Sequence, residues 1–239
     1  MRDDDAGVAA DIAGTIHAYE HVVRGIDAEA RTQGGRAYGG IVRAGKGRLV
    51  ESIARTCVEL SWHLLQGSPS RMSFHRSAIA VPINEPYLNR VHPEDVRRHI
   101  REHLKEYVYR LRTDLHVHID GDFCMGVECK AYTENAMLKR ILVDFTLLRT
   151  QLPDLRCVLF QLESLLGGDF SQLTDPTFGS PATHTLLSYF DVDLHIITLL
   201  EGERGVDRPI HRAEHYKPLT EASLRGAVRA FQQLLADKV

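Results

Sequence analysis

Apolar residues recur along this chain with two periods, and the change from one to the other marks its elements. Residues 9–30 carry Ile12, Ile16, Tyr19, Val22, Val23 and Ile26 at helical spacing. Residues 46–66 do the same with Leu49, Val50, Ile53, Cys57, Val58, Leu60, Leu64 and Leu65, so both segments are predicted helices. HPEDVRRHIREHLKEYVYRLRTD (92–114) also opens as a helix. Pro93 suits its first turn, and Glu94 and Asp95 suit the positive end of the dipole. From about Tyr107 the pattern becomes β-like. Period two then governs TDLHVHIDGDFCMGVECK (113–130). Leu115, Val117 and Ile119 alternate with His116 and His118, Asp120-Gly121 supplies a turn, and Phe123, Met125 and Val127 alternate with Cys124, Gly126 and Glu128. Alternation on both sides of Asp-Gly predicts a β-hairpin. Folded about Gly121, it sets Asp114 opposite Glu128 and pairs Leu115, Val117 and Ile119 with Val127, Met125 and Phe123 on a core face.

Beyond the hairpin, Thr133 is expected to cap a helix running to about Arg149, on the spacing of Ala136, Met137, Ile141, Leu142, Phe145, Leu147 and Leu148. LRCVLFQL (155–162) and DLHIITLL (193–200) read as buried strands. Thr220 caps a last helix with Leu224, Val228, Phe231, Leu234 and Leu235 on one face. Residues 67–93 are punctuated by Pro and Ser and read as loop, with SAIAV a short strand. The stretch after Leu162 to about 185 is polar and turn-rich.

Composition narrows the class. With 239 residues and 44% hydrophobic content the chain can bury a substantial core. No apolar run reaches membrane-span length, and the acidic MRDDDAGVAADIAG start lacks the form of a signal peptide. The four cysteines, Cys57, Cys124, Cys129 and Cys157, form no CxxC pair. A reducing, cytoplasmic setting without structural zinc is the expectation. A net charge of −3 excludes a uniformly basic nucleic-acid coat, so any nucleic-acid contact must gather its cations locally.

The hairpin's open end carries the chemistry. Two acids and an amine in one place suit a divalent metal and a reacting phosphodiester. Asp114, Glu128 and Lys130 resemble the PD-(D/E)xK nuclease signature, with Thr113 where the motif has Pro. ECKAYTENAMLKRILVDFTLL and RPIHRAEHYKPL also look like segments of type II restriction endonucleases. The resemblance implies an αβββαβ core within an α/β fold, a mixed central sheet flanked by helices. It further implies Mg²⁺-dependent, site-specific cleavage of double-stranded DNA. Asp114 and Glu128 would hold the metal and Lys130 would position or activate water. Glu51, on the preceding helix, is the candidate for an extra metal acid, the alternative being an exposed helix charge. A homodimer and a cognate methyltransferase are likewise implied. The whole of 1–239 is expected to form one nuclease domain, with a core of about 46–200 and a C-terminal basic loop and helix at 201–239.

Two segments are candidates for DNA contact. RTQGGRAYGGIVRAGKGR (31–48) combines glycines with Arg36, Arg43 and Lys46, and EGERGVDRPIHRAEHYKPL (201–219) carries Arg208, Arg212 and Lys217. Each reads equally as a solvated charged loop. Asp120 and Asp122 also precede the Glu-x-Lys, and a bulge could promote Asp120 to the first acid. Other readings stay open. One is a DNA-repair or structure-specific nuclease, or a non-cutting DNA-binding protein, of the same fold. Another is a phosphoesterase using His116 and His118 as metal ligands, although too few residues follow DLHVHID for the barrel such enzymes need.

Overall fold

The computed structural model describes residues 2–31, 36–171 and 179–239, with side chains described for 6–25, 44–171 and 179–239. Two long helices come first, α1 (Arg2–Arg31) and α2 (Arg36–Leu64). Then follow β1 (Met72–His75), β2 (Ile79–Pro82), α3 (Glu85–Leu88), α4 (Glu94–Glu102), β3 (Val108–Leu111), β4 (Leu115–Ile119) and β5 (Asp122–Glu134). The chain continues through α5 (Asn135–Arg149), β6 (Arg156–Leu165), α6 (Pro181–Ser188), β7 (Leu194–Thr198) and α7 (Glu221–Leu235).

The central sheet has the order β1-β4-β5-β6-β7. β1, β4 and β5 run antiparallel, whereas β5, β6 and β7 run parallel, so the sheet is mixed. α2, the meander β1-β4-β5, α5 and β6 reproduce the expected αβββαβ order. A segment containing β2, α3, α4 and β3 is inserted between the first two strands of the meander, and β2 and β3 pair in a small sheet of their own. Helices cover both faces. Val50, Ile53, Val117, Met125, Phe160 and Phe231 belong to the apolar layer that joins α1, α2 and α7 to one face. Leu138, Leu142, Phe145, Leu159 and Leu166 belong to the layer under α5 on the other. No described helix is long and apolar enough to cross a membrane.

The hairpin closes where its sequence predicts. Asp120 (φ 53°) and Gly121 (φ 92°) both adopt left-handed backbone, as a two-residue primed turn requires. Leu115 faces Val127 and Val117 faces Met125, as expected, but the register then shifts. His118 faces Phe123, and Ile119 faces Asp122 rather than Phe123. The tight turn demands that 119 meet 122, while the core alternation demands that 117 meet 125. One extra residue on β5 reconciles the two, which is what a β-bulge does. Cys124 joins the buried layer, and Phe123 leaves it to stack on His116 at 4.2 Å between ring centroids.

Other departures have local causes. Residues 36–48 are helix and not loop, because α2 begins at Arg36. Its later turns are anchored on the sheet through Val50 and Ile53, and an anchored helix propagates back through glycines that cost only about 1 kcal/mol each. Thr133 and Glu134 remain strand, since they pair with Ser164 and Leu165 of β6, so α5 starts at Asn135 and Thr133 caps nothing. β1 and α6 arise in stretches that read as loop. For α6 the start signal was present: the Ser180 hydroxyl accepts from Thr183 N–H, and Pro181 follows in the first turn. Thr220 caps α7 as expected, accepting from Ser223 N–H.

Candidate active site

Asp114 immediately precedes β4. One step back from the Leu115–Val127 pair, the register sets it opposite Glu128 on β5. Glu128 and Lys130 lie two apart on one strand and so share a face. The Lys130 ammonium donates to Glu128 Oε2 (2.6 Å), Asp114 Oδ2 (3.1 Å) and the Cys129 carbonyl (3.3 Å). The Cys129 N–H also donates to Asp114 Oδ2 (2.8 Å), which fixes that carboxylate from the backbone side. Gly126 leaves room for this approach. A Cβ there would lie 3.1 Å from both the Thr113 methyl and the Phe145 ring, so any larger residue would press on the two side chains packed beside Asp114.

Burial governs the charges. It pushes the Glu128 carboxyl up to about 7; Lys130 opposes the shift and Asp114 adds to it. Burial alone would lower the pKa of Lys130, but Glu128 and Asp114 outweigh it and hold the ammonium above its ordinary value. Asp144 of α5 adds negative charge to Glu128, and burial raises its own carboxyl despite Arg140 and Lys130. Asp144 did not stand out in the sequence. Its signal was an acid inside the apolar run ILVDFTLL.

A cleft of about 390 Å³ opens beside Asp114, lined among others by Arg48, Glu51, Arg55, Arg76 and His116. Glu51 of α2 therefore shares the cleft with Asp114, but Arg76 Nη2 donates to its Oε2 in an ion pair. Among the described residues no three of His, Cys, Asp or Glu form a ready-made metal cluster. The donor set nevertheless fits a hard cation: two carboxylates and a backbone carbonyl, oxygens only, already converge on one positive charge.

Asp120 lies at the other end of the hairpin. It forms the turn and is engaged by Arg71, whose Nη2 donates to Oδ2 at 2.8 Å. His116 is 1% exposed, and its Nε2 accepts from the Thr113 N–H (3.0 Å). With Nε2 so engaged, the buried ring is not the free metal ligand a phosphoesterase reading needs. Burial, with His118, Arg112 and His75 nearby, lowers its pKa to about 4. A histidine with a depressed folded pKa supplies stability above its unfolded pKa, near 6.5, and loses it as pH falls toward 4. Urea midpoints should fall through that window, at up to about 1.4 kcal/mol per pH unit from this group. The His116 ring should remain neutral by NMR at pH 5.5; an ordinary titration near 6.5 would contradict the assignment.

The candidate DNA contacts are dispersed. The side chains of Arg36 and Arg43 lie outside the described residues. Arg208 and Arg212 are exposed. Lys46 and Lys217 instead turn toward Glu163, a 2%-exposed acid of β6 that the sequence reading missed because it ended the strand at Leu162. Lys217 Nζ lies 3.4 Å from Glu163 Oε1 and donates to the Gly202 and Glu203 carbonyls. Lys46 is 9% exposed, and burial lowers its pKa to about 8 against the pull of Glu163. Arg204 approaches the same acid at 4.0 Å while stacking over Tyr132.

No protein-family model matches the chain, and no solved structure does. The type II restriction enzyme DdeI of Desulfomicrobium norvegicum is 48% identical over 204 residues, covering 84% of this chain and 85% of that protein. Identity at that level over that span is shared descent of the whole fold, and the chain belongs to the family of type II restriction enzymes that includes DdeI.

Proposed function

We propose that the chain is a Mg²⁺-dependent endonuclease that hydrolyses double-stranded DNA at a specific sequence, with Asp114, Glu128 and Lys130 as its catalytic groups. The observation that carries this reading is the convergence of two carboxylates and a backbone carbonyl on the Lys130 ammonium, next to a cleft lined with arginines. Asp114 and Glu128 would hold Mg²⁺, with Glu51 joining if Arg76 releases it to a DNA phosphate. When bound, the ion would supply positive charge to the scissile phosphate and acidify a water molecule.

The chain's own residues do the rest. Glu128 and Asp114 hold the Lys130 ammonium above its ordinary pKa in the arrangement described. Lys130 is assigned as a donor and a charge that orients the attacking water and offsets the extra negative charge developing on the phosphoryl oxygens. Arg48, Arg55 and Arg76 line the cleft where the DNA backbone would lie. The Cys129 N–H keeps the Asp114 carboxylate in place while the lysine shifts its attention to substrate. Family membership extends the proposal to a homodimer reading a two-fold site and to a methyltransferase that protects that site.

The reading is tested by incubating the purified chain with unmethylated phage DNA, with Mg²⁺ and with excess chelator. Discrete fragments with Mg²⁺ and intact DNA with chelator are expected. Intact DNA under both conditions, across several unrelated DNAs, would overturn it.

A further inference from the structure

The insertion between β1 and β4 differs from the rest of the chain in charge and in surface. Residues 76–112 hold eight Lys or Arg against five Asp or Glu, a balance of +3, in a chain whose total is −3. The remainder is thus −6. Arg90, Arg98, Lys105 and Arg110 are exposed, and their side chains make no hydrogen bond or ion pair among the described residues. By contrast, Arg97 and Arg101 donate to Asn89 and brace α4 on α3. Tyr87, Val96, Leu104, Tyr107 and Tyr109 are five of the nine large apolar side chains exposed among the described residues, so this surface lacks a cover.

The insertion is also tied to the candidate site at both ends. At its start Arg76 is paired with Glu51, and at its end Leu111 lies three residues before Asp114. Val81 and Leu111 anchor the β2–β3 ribbon in the apolar layer under α5. Directly opposed residues share a face, so Arg110 stands beside Ala80 on the other side of the ribbon, and a small neighbour leaves it room to reach out.

We infer that residues 76–112 form a DNA-reading arm, whose ribbon presents Arg110 to base edges in the major groove while Arg90, Arg98 and Lys105 take phosphates. This rests on the DNA-cleaving reading above and names the element that recognises the substrate. A two-stranded ribbon fits the major groove, and an arginine can bond guanine bidentately there. A duplex engaged by the arm would lie beside the cleft, because the arm begins at Arg76, the partner of Glu51, and ends two residues before Asp114.

The test uses the full-length chain carrying Lys130→Ala to prevent cutting. Binding to a duplex bearing the cleaved sequence and to a scrambled duplex is measured across salt concentrations. Arg98→Ala should weaken both and reduce the salt slope by about one. Arg110→Ala and Arg110→Lys should both cut the preference for the cleaved sequence about tenfold or more, the lysine variant keeping the charge but not the bidentate bond. If the chain cuts at a fixed sequence while these variants bind with unchanged slope and preference, the arm is overturned and the nuclease reading stands. If the wild-type chain cuts nothing, yet Arg98→Ala lowers the slope on scrambled duplex, the phosphate contact of the arm stands while its base-reading role and the nuclease reading fall. A chain that neither binds nor cuts overturns both.

Discussion

Lys130→Ala is expected to reduce DNA cleavage by about 10³-fold or more while leaving the fold and DNA binding in place. The magnitude follows from what the side chain does. A charged donor beside a developing phosphoryl charge, in a partly buried site, acts mainly in the transition state, so its loss falls on kcat more than on KM. The fold should survive because Lys130 is 30% exposed and the Asp114 carboxylate keeps its bond from the Cys129 amide. Glu128 loses the one cation that opposes its upward shift, so its carboxyl should titrate still higher in the variant. Asp120→Asn is the matched control. That acid also precedes the Glu-x-Lys, but it lies at the turn and engages Arg71, so cleavage should change less than threefold, or about 0.6 kcal/mol of barrier. Single-turnover rates for the two variants decide the matter. Equal losses would place the chemistry elsewhere on the hairpin.

The largest stability effect is expected from Glu163→Ala, a loss of about 3–5 kcal/mol. Glu163 is buried on β6, and three cations from distant parts of the chain converge on it: Lys46 from α2, and Arg204 and Lys217 from the segment after β7. Removing the acid leaves Lys46 buried with no counter-charge among the described residues and leaves Arg204 and Lys217 without the acid they share. Breaking one side of a buried charge cluster costs far more than the cluster contributes relative to an apolar replacement. The thermal midpoint should fall by about 6–20 °C for a chain of this size. Glu163→Gln, which keeps the shape, should cost less. A shift below 2 °C for the alanine variant would mean that water already satisfies these cations.

The hairpin was legible because local chemistry and the core agree there. Asp120-Gly121 can form a tight primed turn, and Leu115, Val117, Met125 and Val127 need one buried face. The bulge was not legible, because it is the remainder left when turn and core ask for registers one residue apart. Asp114 opposite Glu128 survived that shift, since the extra residue enters on the turn side of the Val117–Met125 pair. Glu163 and Asp144 were hidden for another reason. Each is an acid in an apolar run that meets charges on other elements, Glu163 the cations Arg204 and Lys217, and Asp144 the Glu128–Lys130 pair besides its helix neighbour Arg140, and periodicity carries no information about such meetings. The same holds for Lys46 and Lys217, whose charge suggests a DNA surface until the fold turns them inward. The helical start of α2 shows tertiary anchoring overriding the glycines of 36–48.

The most direct measurement is to sequence the ends of the fragments released from unmethylated DNA by the wild-type chain with Mg²⁺. Every end should carry the same short sequence, and Lys130→Ala should release such ends slower by about 10³-fold or more. Ends scattered without a shared sequence, or the same ends released as fast by the lysine variant, would contradict the assignment.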